Sequence, residues 1–165
     1  MKRTQDEAKP YQTVEDLEGY QVAREFRKAM YRVAKRLPQE EKFGLTSQVR
    51  RAGVSLTNNI AEGHGRFHFL EQIKFMLQSR GSLEELLDDL NICEDEAYLP
   101  IQEMEPLRQE GWRVHKLING YRYIRFLRRR ASGDSPHVRE APDDDDLEDL
   151  FLERFNASTF KRFNE

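Results

Sequence analysis

Residues 44–66 read GLTSQVRRAGVSLTNNIAEGHGR and carry apolar residues at a helical period. Spacings of four, three, four and four place these residues on one face of a helix. They are Leu45, Val49, Ala52, Leu56 and Ile60. Gly63 follows three residues after the last of them, and a glycine commonly ends a helix. The stretch therefore predicts an amphipathic helix whose apolar face must pack against other helices.

The polar face of this predicted helix carries two adjacent arginines, Arg50 and Arg51. Neither has an Asp or Glu three or four residues away, so neither has a local salt-bridge partner. Both are therefore predicted to meet an anionic group outside the helix. Gly53, on the same helix, predicts the close approach of a neighbouring backbone, at a cost of about 1 kcal/mol of helix propensity relative to alanine.

Three sequence blocks resemble one protein family. They are GLTSQVRRA at 44–52 followed by Ser55, NIAEG at 59–63 followed by Gly65 and Arg66, and RGSLEEL at 80–86. With their spacing, these blocks resemble the 23S rRNA-intervening sequence proteins, over roughly residues 17–130. The resemblance implies a small all-helical protein that forms homopentameric barrels.

The same family is similar to the accessory variability proteins of diversity-generating retroelements. Those proteins work with reverse transcriptases and bind nucleic acid through a basic surface. Neither group has an accepted catalytic residue. The resemblance therefore implies a binding protein, with nucleic acid, a reverse transcriptase or both as partners.

Composition supports a helical protein with a large hydrated surface. The chain has 165 residues, of which 35% are charged. No apolar run approaches the roughly 20 residues that span a bilayer, and the N-terminus MKRTQDE is polar, so we expect a cytoplasmic protein. A single cysteine, Cys93, excludes an internal disulfide and a cysteine-rich zinc site.

Helix-breaking residues divide the chain into four predicted helices. The first begins near Val14 to Asp16 and is ended by Pro38, the second ends at Gly63, and Pro100 separates the third, about 67–97, from the fourth. Short connections make consecutive helices antiparallel neighbours. We therefore predict an all-α, up-down-up-down antiparallel four-helix bundle over 15–131, after a flexible leader at 1–14.

The third predicted helix has apolar residues on more than one face. One set forms the stripe predicted to face its own chain: Phe69, Ile73, Met76, Leu77, Leu83, Leu87 and Leu90. A second set, Phe75, Leu86 and Ile92, is predicted to contact another subunit. Arg80 lies among small residues, where it serves either helix packing or an ion pair or ligand contact.

The end of the fourth predicted helix is the most basic part of the chain. Its arginines are Arg122, Arg125, Arg128, Arg129 and Arg130. Tyr121 and Tyr123 lie among them, and aromatic rings between arginines can stack an unpaired base while the guanidinium groups hold phosphate. Together with Arg50, Arg51 and Arg66, these residues form the predicted nucleic-acid-binding set.

Charge is divided unevenly along the chain. Residues 17–130 carry 20 Lys and Arg against 16 Asp and Glu, whereas residues 131–165 carry 4 against 10. The acidic tail at 132–165 is predicted to be disordered, or helical at about 144–156. Four apolar residues have helical spacing there: Leu147, Leu150, Phe151 and Phe155. The tail is expected to dock on the arginines of the body or on a protein partner, or to act only as a solubilising segment.

No catalytic constellation or phosphate-binding loop is recognisable in the sequence. His64 and His68 have the spacing of a zinc pair, but no third ligand matches them. We therefore expect a protein that is not an enzyme and holds no metal or other cofactor. The favoured hypothesis is a nucleic-acid-binding homo-oligomer whose ligand is RNA or DNA, with RNA preferred. The alternative is a protein-interaction scaffold or accessory subunit of a reverse transcriptase.

Overall fold

The computed structural model describes residues 13–131, with side chains as far as Arg122. Two 3-10 turns, Val14–Asp16 and Gln39–Lys42, accompany four α-helices. The helices are α1 at Glu18–Ala34, α2 at Leu45–His64, α3 at Phe69–Asp95 and α4 at Ile101–Ala131. The predicted all-α fold with four helices is confirmed. Most of the predicted leader and the whole of the predicted tail, with Leu147, Leu150, Phe151 and Phe155, lie outside the described residues.

Local sequence accounts for the ends of the helices. The first 3-10 turn is closed by Asp16, whose Oδ2 accepts hydrogen bonds from the Thr13 backbone nitrogen at 2.7 Å and hydroxyl at 2.9 Å. After α3 the chain turns at Ala97, which has a left-handed φ of 53°. In this turn the Tyr98 nitrogen donates a hydrogen bond to the Cys93 carbonyl at 2.9 Å.

Hydrogen bonds and one ion pair connect neighbouring helices. The hydroxyl of Tyr31 on α1 donates to the Arg50 carbonyl near the start of α2, at 3.3 Å. The hydroxyl of Ser79 on α3 donates to the Leu56 carbonyl of α2 at 2.7 Å. The ion pair of Arg36 with Glu103 closes the ring between α1 and α4. These contacts connect α1 with α2, α2 with α3, and the segment after α1 with α4.

All four helices contribute fully buried side chains to one core. The largest are Phe26 and Met30 from α1, Leu56 from α2, Leu83, Leu86 and Leu90 from α3, and Met104 and Ile118 from α4. Gly111 of α4 allows the helices to approach, because an added Cβ there would lie 2.7 Å from Leu87 Cδ2 and 3.2 Å from Phe26 Cζ. Full burial of such a side chain contributes about 1.5–3 kcal/mol.

The buried face of α3 differs from the predicted one. Leu86, predicted to contact another subunit, is 0% exposed in the core of its own chain, so that prediction is wrong. Leu77, predicted to face the core, is 40% exposed, whereas Phe75 is half-buried and Ile92 is 37% exposed. The observed face differs because it contains buried polar side chains as well as leucines, and the prediction counted apolar residues only. These are Gln72, Ser79, Ser82 and Asp89.

Within the described part of the chain, none of the helices is both long enough and apolar enough to cross a membrane.

Candidate nucleic-acid interface

A row of cationic side chains follows the outer side of α1. Arg24, Lys28, Arg32 and Lys35 recur at spacings of four, four and three, and all are exposed. Together with Arg27 and with Arg50 of α2 they are called the basic face. An open depression of about 550 Å³ lies along this row, and Tyr31 is its one lining residue without a positive charge.

Packing between α1 and α2 brings Arg50 to the basic face. A Cβ at Gly53 would lie 3.2 Å from Arg27 Cγ and 3.2 Å from Tyr31 Cε1. Side chains of α1, rather than the predicted neighbouring backbone, therefore occupy the space that this glycine leaves. The guanidinium of Arg50 lies 5.7 Å from the centre of the Tyr31 ring, within the range of a cation–π contact. Arg50 thus extends the cationic row from α1 onto α2.

Most of the positive charge on the basic face is not neutralised. Lys28 pairs with Glu25 at 2.6 Å, but both side chains are exposed, and such pairs contribute at most about 1 kcal/mol. The hydrogen bond from Lys28 lowers the pKa of Glu25. Arg27 is held differently, since its Nη1 donates to the hydroxyl of buried Thr57 at 2.7 Å. Among the residues that the structure describes, no carboxylate pairs with Arg24, Arg32, Lys35 or Arg50.

Arg51 points away from Arg50, although the sequence predicted that they act as a pair. Consecutive helical residues differ by about 100° around the axis, and Arg51 turns toward α3. There it acts on Asp89, a buried residue whose pKa is raised to about 6. Burial is the main cause of that rise, the carboxylates of Asp88 and Glu85 add to it, and Arg51 opposes it.

Arg66 is occupied by groups of its own chain. It forms an ion pair with Glu62, one turn earlier, and its guanidinium lies 5.0 Å from the centre of the Phe75 ring. Both partners compete with an external anion for this arginine. Phe75, predicted to contact another subunit, is thereby partly covered by Arg66.

Of the predicted C-terminal binding residues, the structure describes the side chains of Tyr121 and Arg122. Tyr121 packs against the core. Arg122 is half-buried, and its Nη1 donates to Asn119 Oδ1 of α4 at 3.1 Å. The backbone of the remaining predicted residues lies in the last turns of α4, and their side chains lie outside those described. They are Tyr123, Arg125, Arg128, Arg129 and Arg130.

Residues 15–120 match the family model of the 23S rRNA-intervening sequence protein. The chain belongs to the 23S rRNA-intervening sequence protein family. No curated protein sequence matches the chain. The part of this family member that matches includes the whole basic face and ends before Arg122.

The α1 residues of this 23S rRNA-intervening sequence family protein were not in the predicted nucleic-acid-binding set. The spacing could have predicted this part of the site, since intervals of four, four and three place Arg24, Lys28, Arg32 and Lys35 in one row on a helix. The contribution of Arg50 to that row depends on the contact with Tyr31 and could not be inferred from spacing.

Metal-ligand residues and the cysteine of this family protein were the remaining candidates for chemistry. No group of three or more His, Cys, Asp or Glu side chains among the described residues could hold a metal ion. Cys93 is buried, and the pKa of its thiol is raised to about 11, mainly by burial and further by Asp89 and Glu41. A thiol with this pKa is a weak nucleophile at neutral pH.

Proposed function

We propose that this protein is a non-catalytic, cytoplasmic nucleic-acid-binding bundle that contacts the RNA backbone through its basic face. The proposal is supported by the row of exposed cations on α1, joined by Arg50; of the row, only Lys28 forms an ion pair with a described carboxylate. Lys35 lies eleven residues beyond Arg24, so the row is about 16 Å long at 1.5 Å per residue. A row of this length can meet several consecutive phosphates, and each neutralised phosphate releases counterions.

Binding of this kind is electrostatic and weakly dependent on sequence. Phosphate contacts position a protein on a nucleic acid without reading its bases. Tyr31, which lies between the cations, adds an aromatic ring on which an unpaired base can stack. We therefore expect a preference for single-stranded RNA and little discrimination among sequences.

The test removes three charges from the basic face and compares the salt dependence of RNA binding. In the triple variant R24Q/R32Q/K35Q, the slope of log K against log salt should fall by about 2, because single-stranded contacts contribute about 0.7 each. Fluorescence anisotropy with a labelled RNA measures this slope. The matched control K74Q/R113Q/K116Q removes three exposed charges from α3 and α4 and should keep the wild-type slope.

Two results would contradict the proposal. Equal slopes for both triple variants would exclude the basic face as the contact surface. Absence of wild-type binding at about 50 mM salt would exclude nucleic-acid binding, since electrostatic contacts are strong at low salt. In the second case the cations would instead bind an acidic protein surface, and the alternative of a scaffold or reverse transcriptase subunit would be favoured.

We further propose that the protein acts as a homo-oligomer, most simply the homopentamer implied by the family resemblance. Three exposed apolar residues on the outer side of α3 support this: Leu70, Leu77 and Ile92. Light scattering at micromolar concentration tests it, and a monomeric wild type would refute it. L77K/I92K should lower the oligomer mass, whereas V54K, which places a charge at an equally exposed apolar position on α2, should not.

A further inference from the structure

Two arginines lie close together where α3 packs against α4. Glu84 Oε1 of α3 lies 3.3 Å from His115 Nε2 of α4, and hydrogen bonds connect His115 to Asn119 at 3.2 Å and Asn119 to Arg122 at 3.1 Å. Arg80 lies one helical turn before Glu84, on the same side of α3. Arg122 is half-buried, and the charge of Arg80 acts on it. The Nε of Arg122 is buried and has no hydrogen-bond partner among the described residues. Its Nη1 donates to Asn119 Oδ1 at 3.1 Å, which holds the guanidinium in place while Nε lacks an acceptor.

No described carboxylate neutralises this pair. Glu84 is one helical turn beyond Arg80 and could pair with it, but its Oε1 lies 3.3 Å from His115 Nε2 of α4. The residues three and four positions from Arg122 are Ile118, Asn119, Arg125 and Phe126, none of them acidic. Neither arginine forms an ion pair within the part of the chain whose side chains are described.

Such a pair is costly to bury without a counterion. Burial lowers the pKa of the Arg122 guanidinium, and the charge of Arg80 lowers this pKa further. Arginine nevertheless stays protonated at physiological pH, so the repulsion cannot be removed by loss of a proton. An anion between the two guanidinium groups would remove it and would supply the missing acceptor for Nε.

We propose that Arg80 and Arg122 form a binding site for a phosphoryl group at the contact between α3 and α4. Two planar guanidinium groups offer several N–H donors to the oxygens of one phosphoryl group, an arrangement that arginine favours over lysine. Asn119 acts as a positioning residue through its hydrogen bond with Arg122. The site is separate from the basic face, and the phosphoryl group belongs either to a free phosphate compound or to the backbone of a nucleic acid.

The first experiment measures the melting temperature of the full-length protein against inorganic phosphate, with ionic strength held constant by chloride. Above the Kd, each tenfold rise in phosphate should raise the wild-type melting temperature by about 3–5 °C, since the ligand binds only the folded state. R80Q and R122Q should lose this shift. R24Q, which removes an exposed arginine from the basic face, should keep it.

Equal phosphate shifts in the wild type, R80Q and R122Q would overturn the proposal, as would the absence of a wild-type shift. If a glutamine variant does not fold, R80K and R122K replace it, because lysine keeps the charge but lacks the planar donor geometry. These lysine variants should show a clearly smaller phosphate shift. A full shift in both would also overturn the site.

The second experiment identifies the source of the phosphoryl group. Anisotropy with a single-stranded RNA oligonucleotide is compared for the wild type and R80Q over a range of salt concentrations. A slope lower by about 0.7 in R80Q would assign a backbone phosphate to the site, whereas an unchanged slope would assign a free phosphate compound. If the wild type binds no RNA, the proposed function fails, but the phosphate shift still tests the site independently.

Discussion

Helices α1 and α3 distribute their polar and apolar residues in opposite ways. In α1 the buried side chains are apolar, including Phe26, Met30 and Val33, and the outer row is cationic. In α3 the polar residues Ser79 and Asp89 are buried, while Leu77 is among the exposed apolar ones. Buried Ser79 and Ser82 of α3 form hydrogen bonds to α2, as buried polar groups usually do, whereas Asp89 Oδ2 has no hydrogen-bond partner among the described residues.

The cations on α1 and the Arg80 and Arg122 pair also differ in the ligands that they can bind. Exposed arginines and lysines on α1 are hydrated, so they cost little when no ligand is bound. Arg122, half-buried against α3, lacks this hydration. The basic face is therefore suited to weak, salt-dependent contacts along a polymer. The Arg80 and Arg122 pair is suited to one localised anion.

The largest expected effect on stability is at Leu86, which lies on the buried face of α3. Leu86→Ala should lower the free energy of unfolding by about 2–5 kcal/mol, because it removes a fully buried side chain and leaves a cavity. In an I92K background, which keeps Leu77 and weakens the proposed contact between subunits, Leu77→Ala should change it by less than about 0.5 kcal/mol, because Leu77 is 40% exposed. Urea denaturation followed by circular dichroism gives both values, and a larger loss for Leu77→Ala would reverse the assignment of the two faces.

A smaller effect is expected at Asp89, the buried acid of α3. Its pKa of about 6 lies above the value of 3.8 for an unperturbed Asp, so the folded state binds the proton more tightly than the unfolded state. The stabilisation from protonation is fully present below about pH 4 and is lost as pH rises through 6. Asp89→Asn, which stays neutral, should therefore be more stable than wild type by about 1–2 kcal/mol at pH 8.

The pH dependence provides the control for Asp89→Asn. Its advantage should shrink between pH 7 and 5 and nearly disappear at pH 4, as measured by urea denaturation at each pH. Asp88→Asn changes the neighbouring exposed residue and should show a much weaker dependence. A constant difference between Asp89→Asn and wild type from pH 4 to 8 would show that ionisation of Asp89 is not its cause.

The hydrogen bond of Ser79 should account for about 1 kcal/mol. Ser79→Ala removes the donor of a hydrogen bond to the Leu56 carbonyl in a fully buried position. Loss of such a hydrogen bond typically lowers the free energy of unfolding by about 0.5–1.5 kcal/mol. Gln78→Ala, at the exposed position before it, is the matched control and should be nearly neutral. If thermal denaturation shows no difference between the two variants, the Ser79 bond does not fix the buried face of α3.

The smallest effect on stability is expected on α1. Arg32→Gln should change the free energy of unfolding by less than about 0.5 kcal/mol, because Arg32 is exposed and forms no described ion pair. The same variant should weaken RNA binding at low salt and lower the salt slope by about 0.7. A clear loss of stability without a change in binding would mean that this cation supports the fold rather than a ligand.

Sequence periodicity was sufficient for some elements and insufficient for others. The apolar spacing in α2 predicted its buried face, since Leu45, Val49, Ala52, Leu56 and Ile60 are all buried. For α3 the same reasoning was partly right, since Met76, Leu83, Leu87 and Leu90 are buried as predicted. It counted only apolar residues, so it included exposed Leu77 in the buried face and left out buried Leu86. Ser79 and Ser82 carry no apolar signal, yet each forms a hydrogen bond to α2 that orients the helix.

The sequence by itself determined that the described chain forms four helices, because helical period and the positions of glycine and proline are local properties. It also determined the cationic row of α1, which follows from spacing alone. Only the tertiary structure decided that Arg50 joins this row while Arg51 turns to Asp89, and that Arg80 meets Arg122. These outcomes depend on contacts between residues far apart in the chain, such as Gly53 with Tyr31, where steric fit and hydrogen bonding choose the face that each helix buries.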